Sequence, residues 1–476
     1  MNNFKTTIGI EIHTVINTRS KMFSSSKNSH TDKVNTNINE IDLGFPGILP
    51  TVNKQGVIKA IQLAHALNMT VNQHLIFDRK NYFYQDLPKG FQITQQYEPI
   101  GSNGFVEIKT IEGKIKKINI ERIHIEEDTA KQQTINGKIF LDYNRCGLPL
   151  IEIVSKPEIN NDFEAMQYLK ELKRILNFLE ISDAKMEDGS LRADINISHN
   201  LHGENKLGTK VEIKNINSIS NVGKAIKFEK DRQISLLLQG QIIKQQTLRW
   251  DDATNTTIFM RDKSDAVDYH YFTEPNIIQM YLSGGFINDA IKSTPNNLKE
   301  IYRFLEQLQI DQKIMDQLLN DYELYKVFNY AYKHLKNVND VITWFLIELV
   351  SLVKNDNKSI ENIEKQIIDY VIEMVKLLQG QSINAKQAKT IIGEIYFKKQ
   401  EPKIIIERLG FKQITDPYII EEILRKYINE NASMVNQYNE RPERVEKFLI
   451  GMLMKDTNGQ ANPNISYSVL KKLLTK

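Results

Sequence analysis

Residues 118–128 read INIERIHIEED, a stretch in which polar and apolar side chains alternate almost without interruption. Alternation with period two is expected of a β-strand that buries one face, because successive side chains point to opposite sides. The same alternation recurs in IGIEIHTVI (8–16), LIEIVS (150–155), SLRADINIS (190–198) and TKVEIKNI (209–216). Helical spacing intervenes at 55–68 and 161–180. The part up to about Pro275 is therefore predicted to be α+β, with a mainly antiparallel sheet.

The period changes after Pro275, where apolar residues recur three and four positions apart. This spacing predicts helices at 297–308, 312–319, 321–335, 338–353 and 360–378, followed by a break near 399–402 and by shorter helices up to 474. A chain of 476 residues is too long for one core. We therefore predict a sheet-based domain at 1–292, a helical domain at 293–400 and a small helical tail domain at 401–476.

The composition of the whole chain is that of an ordinary globular protein, with a net charge of +3 that neither requires nor excludes an anionic partner. The single cysteine, Cys146, rules out an internal disulfide and a thiolate zinc cluster. The first residues lack a basic start followed by an apolar run. The longest apolar stretch, around 341–353, contains Glu348 and is too short to span a bilayer. We expect a cytoplasmic protein without membrane association.

A carboxylate and an imidazole lie two positions apart in the first predicted strand. Glu11 and His13 would share one face of that strand, since residues i and i+2 point the same way. Such a pair can bind a divalent cation or exchange a proton. A solvated strand face would explain the same pattern.

Acidic residues are concentrated in two further strands. The run HIEED puts His124, Glu126 and Asp128 on one face and Glu127 on the other, unless the strand bends. Neighbouring acids repel one another unless a cation or water screens them, although an exposed strand end would also tolerate them. Glu152 lies among apolar residues in LIEIVS, where burial of a carboxylate requires a partner. The partner is either a metal ion or a basic side chain.

Two later strands have mixed charges on one face. Arg192 and Asp194 alternate with apolar residues in SLRADINIS, and Lys210, Glu212 and Lys214 do so in TKVEIKN. Both patterns are typical of a polar cleft wall or of a solvated sheet face.

A stretch rich in basic and aromatic residues, FDRKNYFYQDLPKGFQITQQ (77–96), contains Lys80 and an Asp-Leu-Pro-Lys-Gly turn. A second one is MRDKSDAVDYHYFTEPN (260–276). Cations among aromatic rings suit a nucleotide or an RNA 3′ end, although a plain hairpin would also give this composition. The sequence has no P-loop and no G-x-G-x-x-G motif. Any phosphate chemistry would therefore rest on a cation and lysines.

Taken together, these motifs resemble the B subunits of the Glu-tRNA(Gln)/Asp-tRNA(Asn) amidotransferases. The motifs that carry the resemblance span the chain and are IGIEIH, SKMF, FPGILPTVN, FDRKNYFYQDLPKGFQITQ, RIHIEED, DYNRCGLPLIEIVSKPEI, KMEDGSLRADINIS, KVEIKNINS, MRDKSDAVDYHYFTEP and ANPN. The resemblance implies a cradle domain, a helical domain and a YqeY-like tail that holds tRNA. It also implies ATP- and Mg²⁺-dependent phosphorylation of a tRNA-bound carboxylate. Ammonia from a separate glutaminase, the A subunit, would then displace the phosphate, and a small C subunit would complete the enzyme.

The resemblance further implies roles for single residues. His13, Glu127 and Glu152 match the Mg²⁺ ligands of the family, with Glu11 and Glu126 close by. Whether Glu126 or Glu127 contacts the metal stays open.

The nucleotide site follows from the resemblance in the same way. Lys80 resembles a lysine that faces phosphate, and Glu212 falls on a position of the family's site. Ser190, Arg192 and Lys214 are the candidates for the rest of the nucleotide pocket.

The sequence departs from the family at a zinc site that many members form from four cysteines. The corresponding positions here are Ser24, Ser26, Asn39 and Asp42. Hydroxyl, amide and carboxylate groups do not replace four thiolates around Zn²⁺. We therefore predict no structural zinc.

Two other classes of protein remain as alternatives. One is an RNA-binding scaffold whose acids are structural, and the other is a metal-dependent phosphohydrolase. Within the first interpretation, Glu-tRNA(Gln), Asp-tRNA(Asn) or both are open as substrates.

Overall fold

The computed structural model describes residues 4–29, 31, 33–204, 206–262, 269–411, 414–457 and 459–475. Residues 263–268, in the MRDKSDAVDYHYFTEP motif, lie outside this range. The chain divides into two compact units, Met1–Phe304 and Leu305–Lys476. The domain boundaries at 292 and 400 stay predictions.

The first unit contains the strands of the molecule. They are β1 (Phe4–Val15), β2 (Thr70–Val71), β3 (His74–Leu75), β4 (Asp78–Asn81), β5 (Phe91–Thr94), β6 (Gly101–Lys109), β7 (Ile115–Glu127), β8 (Lys131–Ile135), β9 (Lys138–Asp142), β10 (Pro149–Ser155), β11 (Leu191–Leu201), β12 (Val211–Lys214), β13 (Gln246–Asp251), β14 (Thr256–Asp262), β15 (His270–Thr273) and β16 (Met280–Tyr281). The predicted strands at 8–16, 118–128, 150–155, 190–198 and 209–216 all lie within or overlap these elements.

Nine of these strands form one sheet in the order β14-β13-β12-β11-β1-β10-β7-β6-β2. Every pair of neighbours within it is antiparallel except β12 and β13, which are parallel. Three smaller sheets have the orders β15-β4-β5, β16-β3 and β8-β9. The stretch 77–96, for which a hairpin was one of two interpretations, contains a hairpin with β4 and β5 as its strands.

Helices cover the apolar face of the large sheet. They are α1 (Lys54–Ala66), α2 (Asp162–Phe178) and α3 (Ile219–Leu238). Helix α4 (Gly284–Lys292) packs against α1, and α5 (Leu298–Gln307) follows it in the chain. The spacing of apolar residues in the sequence did not predict α3, because the buried face of this helix includes Glu229 and Gln233. The carboxylate of Glu229 accepts hydrogen bonds from Gln233 and Arg232, which satisfies the charge but breaks the apolar stripe of the helix.

The second unit is helical throughout its described residues. Its helices are α6 (Gln312–Asn320), α7 (Tyr322–Leu335), α8 (Val338–Val341), α9 (Val350–Asn355), α10 (Lys365–Gln379), α11 (Ala385–Lys398), α12 (Pro402–Leu409), α13 (Pro417–Glu430), α14 (Ala432–Val435), α15 (Pro442–Asp456) and α16 (Pro463–Leu474). A π-helical segment, Ile342–Leu349, joins α8 to α9, and a short 3₁₀ turn, Ile360–Asn362, precedes α10. The predicted α+β class, with a helical region after the sheet, is confirmed.

One helix of the second unit was missed in the sequence. Helix α11 contains Gly393 in its interior, which weakens the helical pattern. Its start is nevertheless well specified, because Asn384 and Gln387 form a reciprocal capping box. Among the described residues, no helix is long and apolar enough to cross a membrane.

Candidate active site

Four polar side chains form a row across the middle of the large sheet. Arg192, His13, Glu152 and His124 face one another in register on the adjacent strands β11, β1, β10 and β7. Residues that face each other across antiparallel strands project to the same side of the sheet, so these four are neighbours. The apolar residues that precede or follow them along the strands point to the opposite side, into the core.

The row closes into a cluster because Glu126 of β7 reaches the same point. The Nε2 atom of His13 lies 3.4 Å from an oxygen of Glu126 and 3.4 Å from an oxygen of Glu152. The Nε2 atom of His124 lies 2.8 Å from the same oxygen of Glu152. One ligand atom from each of His13, Glu126 and Glu152 lies within 4.8 Å of the others, a spacing that suits a single cation.

The donor set of this cluster fits a hard divalent cation. Two carboxylates and one imidazole present oxygen and nitrogen ligands, and Mg²⁺ is typically held by one or two protein carboxylates together with phosphate oxygens. Glu126 is almost fully buried, with 2% of its side chain exposed, so its charge requires compensation. No basic side chain among the described residues forms an ion pair with Glu126 other than the two histidines.

The carboxylates raise the pKa of both histidines against the effect of burial. Burial lowers the pKa of His124, but the charge and hydrogen bonds of Glu152 and Glu126 outweigh it and raise the pKa to about 9. For His13 the net pKa is likewise raised, again against burial and chiefly through Glu152. Burial raises the pKa of Glu152, but the two imidazoles hold it well below its usual range. A cation bound by His13 would replace a proton, because only a neutral imidazole ligates metal.

Glu11 lies next to this cluster but has a different partner. Its carboxylate accepts a hydrogen bond of 2.8 Å from the side-chain amide of Asn196. Burial, with the charge of Glu152 as the second cause, raises the pKa of Glu11. Glu11 is therefore near the predicted ligands, as expected, and is held outside the group of three.

A cavity of about 370 Å³ opens over the cluster. Its charged and ionisable lining residues are His13, Lys80, Glu126, Asp128, Arg192, Asp194 and Lys214. A volume of this size is at the lower end for sites that bind small-molecule ligands. Anionic groups of a ligand would meet three basic side chains on its walls.

Lys80 enters the cavity from strand β4, where it faces Tyr271 of β15. Its ammonium lies 4.8 Å from the centre of the Tyr269 ring. Burial lowers the pKa of Lys80, but the charge of Glu126 outweighs this and the pKa is raised. The lysine is therefore a charged group next to the carboxylate cluster.

Arg192 and Lys214 are both anchored by carboxylates. Arg192 donates a hydrogen bond of 2.9 Å to Asp128, whose charge raises the pKa of the guanidinium. Lys214 contacts Asp194 and Glu212, and their charges outweigh burial and raise its pKa. Both cations are thus pre-positioned at the cavity wall.

Five of the predicted site residues are not among the residues that line the cavity. Glu152 contacts the lining residue His13, and Glu11 precedes His13 by two positions on β1. The other three have partners elsewhere. Glu212 pairs with Lys214 and accepts a 2.8 Å hydrogen bond from Thr247. Ser190 closes a turn by accepting a hydrogen bond from the Lys185 amide and donating one to Asp183.

Glu127, the third, points away from the cluster, as the alternation in HIEED predicts. Its carboxylate contacts the ammonium of Lys89 and the amide of Ile93 instead.

Two residues of the HIEED run that were not among the predicted site residues take part in the site. His124 contacts Glu152, and Asp128 holds Arg192 at the cavity wall. The signal that identifies both was present in HIEED, where they share a face with Glu126.

The four positions that correspond to zinc-binding cysteines in the related family also converge. The carboxylate of Asp42 accepts hydrogen bonds from the hydroxyls of Ser24 at 2.7 Å and Ser26 at 2.6 Å, and from the backbone amide of Asn39 at 3.1 Å. The ammonium of Lys21, whose side chain is fully buried, lies 3.3 Å from Asp42. Lys21 thus supplies a positive charge to this cluster.

Gly147 fits closely against the Asp42 cluster. It has a φ of +79°, and a Cβ atom there would lie 2.8 Å from a carboxylate oxygen of Asp42. Glycine is therefore required both by the backbone conformation and by the space. The single cysteine, Cys146, precedes Gly147, and its thiol lies 3.6 Å from the Asp42 carbonyl. The two residues pack the loop that contains Asp42 against the end of the large sheet.

Comparison with known proteins places both units in one family. Residues 6–288 match the GatB/GatE catalytic domain family, and residues 326–474 match a GatB domain family. The chain is 48% identical to a protein of Ureaplasma urealyticum serovar 10 over the full length of both, and 49% identical to one of Malacoplasma penetrans over 99% of this chain and 98% of the other. A protein of Mycoplasma mycoides is 45% identical over the full length of both. Each is named as the B subunit of an aspartyl/glutamyl-tRNA(Asn/Gln) amidotransferase.

Proposed function

Because the chain belongs to the family of aspartyl/glutamyl-tRNA(Asn/Gln) amidotransferase B subunits, a family of tRNA-dependent ligases, we propose that its cavity binds ATP and Mg²⁺ and activates a tRNA-bound carboxylate. The substrate is the side chain of Glu-tRNA(Gln), of Asp-tRNA(Asn) or of both. The observation that carries the proposal is the group of His13, Glu126 and Glu152, two of which, His13 and Glu126, line one cavity with Lys80.

The chemistry explains why such a site needs a cation and lysines. A carboxylate does not exchange its oxygen for ammonia, because oxide is a poor leaving group. ATP would supply the phosphoryl group that makes this oxygen a leaving group, and Mg²⁺ would neutralise the phosphate oxygens. Without the cation, the carboxylates of the cluster would repel the phosphates.

The residues of the cavity have separate tasks in this proposal. His13, Glu126 and Glu152 would hold the cation. His124 fixes the orientation of Glu152 through its 2.8 Å contact, as outer partners of metal ligands commonly do. Lys80 stays protonated next to Glu126 and is placed to contact a phosphate oxygen. Catalysis would rest on positioning and electrostatics rather than on a covalent intermediate with the protein.

Charged groups on the opposite wall suit the substrate. Arg192 is held by Asp128, and Lys214 is held by Asp194 and Glu212. Because its carboxylate partner already fixes its position, each basic group can bind a ligand without first being ordered. They would bind the carboxylate of the aminoacyl group or the sugar–phosphate of the nucleotide.

Ammonia must come from another polypeptide in this proposal. The single cysteine of the chain, Cys146, is buried, and burial with the charge of Glu127 raises its pKa to about 12, so it is unsuited as a glutaminase nucleophile. The relatives are named as B subunits, which indicates a multisubunit enzyme. We infer that its partners are a glutaminase, the A subunit, and the small C subunit, and that the enzyme works in the cytoplasm.

The tail at 401–476 is proposed to hold tRNA. Lys447, Lys455, Lys471 and Lys472 are exposed on its last two helices. Lysine contacts to phosphates give affinity that falls as salt is added. Removal of residues after Lys399 is expected to weaken tRNA binding to the assembled enzyme.

The decisive experiment measures ATP hydrolysis by the complex of the chain with the A and C subunits. Hydrolysis is expected to require misacylated tRNA, and His13→Ala and Glu152→Ala should abolish it while tRNA still binds. Glu112→Gln, at the exposed turn that precedes β7, is the matched control. Amide formation that persists in both alanine variants would favour a scaffold, and hydrolysis without tRNA would favour a phosphohydrolase.

A further inference from the structure

Glu127 is a buried carboxylate for which the proposed mechanism has no task. It is the last residue of β7 and adjoins Glu126, but its side chain lies on the other side of the strand. The Lys89 ammonium and the Ile93 amide, the latter at 3.0 Å, both donate hydrogen bonds to one of its oxygens. Only 8% of the Lys89 side chain and 3% of the Glu127 side chain are exposed. Such a pair forms a strong internal contact, because each charge would be unpaired without the other.

The partners of the Glu127 side chain belong to the β4–β5 hairpin. Lys89 lies in its connecting turn and Ile93 in β5, and the side-chain amide of Gln92 donates a hydrogen bond to the backbone carbonyl of Glu127. The strands β5 and β7 belong to different sheets, so no backbone ladder joins these two described strands. One backbone hydrogen bond, from the Ala130 amide to the Asp86 carbonyl at 2.9 Å, joins the turn of the hairpin to the chain just after β7. At the end of β7 itself, side chains form the contacts with the hairpin.

Two further side-chain contacts join the hairpin to β7, and together with those of Glu127 they form what we call the seam. The Thr94 hydroxyl lies 3.4 Å from an oxygen of Glu126, and the side chain of Gln95 accepts a 3.0 Å hydrogen bond from the Ile125 amide. Residues 93 and 94 of β5 and residue 95 after it thus contact residues 127, 126 and 125 of β7 in turn. Of the contacts in the seam, the one between Glu127 and Lys89 is the ion pair.

The hairpin also carries Lys80 into the cavity. Lys80 of β4 faces Gln92 of β5 in register, and both line the cavity. The position of the hairpin relative to β7 therefore determines where the Lys80 ammonium lies relative to Glu126. A displacement of about 1 Å between reacting groups can lower a rate about 100-fold.

We propose that Glu127 and Lys89 are a positioning pair, which fixes the β4–β5 hairpin on β7 and thereby places Lys80 against the phosphate groups. The pair acts through Lys80 and does not contact the metal. The role of Lys80 toward phosphate rests on the proposed function, whereas the placement of Lys80 by the pair does not.

The experiment compares Glu127→Gln, Lys89→Met and the conservative Lys89→Arg in the full chain. Acetylation of single lysines by a water-soluble ester, followed by mass spectrometry, reports the position of Lys80 without any ligand. Lys80 is expected to be acetylated several-fold faster in the first two variants and at the wild-type rate in Lys89→Arg, because arginine keeps the charge. Lys114, an exposed lysine of a turn, should react equally in all of them.

Ligand binding separates a positioning role from a metal-binding role. Binding of Mn²⁺, followed by electron paramagnetic resonance, should be unchanged in Glu127→Gln and Lys89→Met. Affinity for a non-hydrolysable ATP analogue with Mg²⁺ should fall about 10- to 100-fold in both. Thermal unfolding of each variant checks that the variant is folded at the temperature of the binding measurements.

Three results would overturn the proposal. Unchanged acetylation of Lys80 in both variants would show that the pair does not place it. Loss of Mn²⁺ binding in Glu127→Gln alone would make Glu127 a metal ligand. Lower thermal stability with unchanged nucleotide affinity would make the pair merely structural. Wild-type protein that binds neither Mn²⁺ nor the ATP analogue would contradict the proposed function, and the acetylation would still decide on the pair.

Discussion

The first unit buries charge in two places, and the two differ in how far the charges are satisfied. Around Asp42, both carboxylate oxygens accept hydrogen bonds from serine hydroxyls, and the Lys21 ammonium is close by. Around Glu152, one carboxylate oxygen contacts two imidazoles, whose pKa values the neighbouring carboxylates raise against burial, and the Nδ1 atom of His124 has no partner among the described residues. The first cluster is complete without a ligand, whereas the second presents ligand atoms to a cation, which would replace a proton on His13.

This difference indicates which cluster is structural and which is functional. A closed network of donors and acceptors stabilises a loop and loses that effect when one member is removed. A cluster with excess acceptors facing a cavity is costly to the fold and has value only when a ligand is present. Substitutions in the open cluster around Glu152 should therefore affect activity, and substitutions in the closed cluster around Asp42 should affect stability.

The largest expected effect is on activity, at the open cluster. Glu152→Gln removes one of the two carboxylates that would hold the cation, and should lower tRNA-dependent ATP turnover by about 10³-fold. The temperature of unfolding should change by only a few degrees, since the amide can still accept a hydrogen bond from His124. Turnover assays and calorimetry on the same preparation measure both. If Glu152→Gln retained turnover and lost its stability instead, the contrast between the clusters would be wrong.

The next effect is on stability, at the closed cluster. Asp42→Ala leaves the Lys21 ammonium buried without its carboxylate and should lower the free energy of unfolding by about 3–5 kcal/mol. Turnover per folded molecule should remain close to that of the wild type. Denaturant unfolding measures the change, and the double variant Lys21→Met/Asp42→Ala should recover part of it, because no unpaired charge remains. A double variant as unstable as the sum of the two single variants would show that the residues do not act as a pair.

A smaller effect concerns the thiol that packs against the closed cluster. Burial, with the charge of Glu127 as the second cause, raises the pKa of Cys146 to about 12. An ordinary thiol titrates near about 8.5, so the folded protein should react with iodoacetamide at a pH of about 8 at least about 100-fold more slowly than the unfolded chain. The reaction rate should keep rising as the pH is increased further instead of levelling off. Fast labelling under these conditions would mean that the loop around Asp42 opens readily.

The smallest expected effect is that of a chelator, which tests whether the closed cluster binds metal. Because Lys21 and the two serine hydroxyls already satisfy Asp42, purified protein should contain no stoichiometric zinc, and a chelator should leave its unfolding temperature unchanged. Elemental analysis and calorimetry check this. One zinc ion per chain would show that the cluster binds metal after all.

The sequence predicted five stretches of strand well because polar and apolar residues largely alternate in them. It placed Glu11 with His13 and set Glu127 apart from Glu126, and both hold in the structure. Alternation within one strand cannot say which strands are neighbours, so the row of Arg192, His13, Glu152 and His124 follows only from the pairing of strands distant in the chain.

The misses have a similar physical cause. Helix α3 buries Glu229 and Gln233, which pair with each other, and a pattern of apolar residues does not register polar groups that are satisfied only in the fold. Likewise, the convergence of Ser24, Ser26 and Asn39 on Asp42 depends on the path of a long loop. The resemblance to a family identified these four positions together, but the role of Lys21 among them is visible only in three dimensions.

The four-strand row also limits how the length of such a protein can change during evolution. A one-residue insertion or deletion inside β1, β7, β10 or β11 would turn every following side chain of that strand to the other face, which exchanges site and core residues at once. Changes of length are therefore tolerable only where strands end. The connection of β8 to β9 at Asn136 and Gly137, where the whole hairpin is largely exposed, is such a place. We expect relatives of this protein to differ in length at such turns while the number of residues across the row stays fixed.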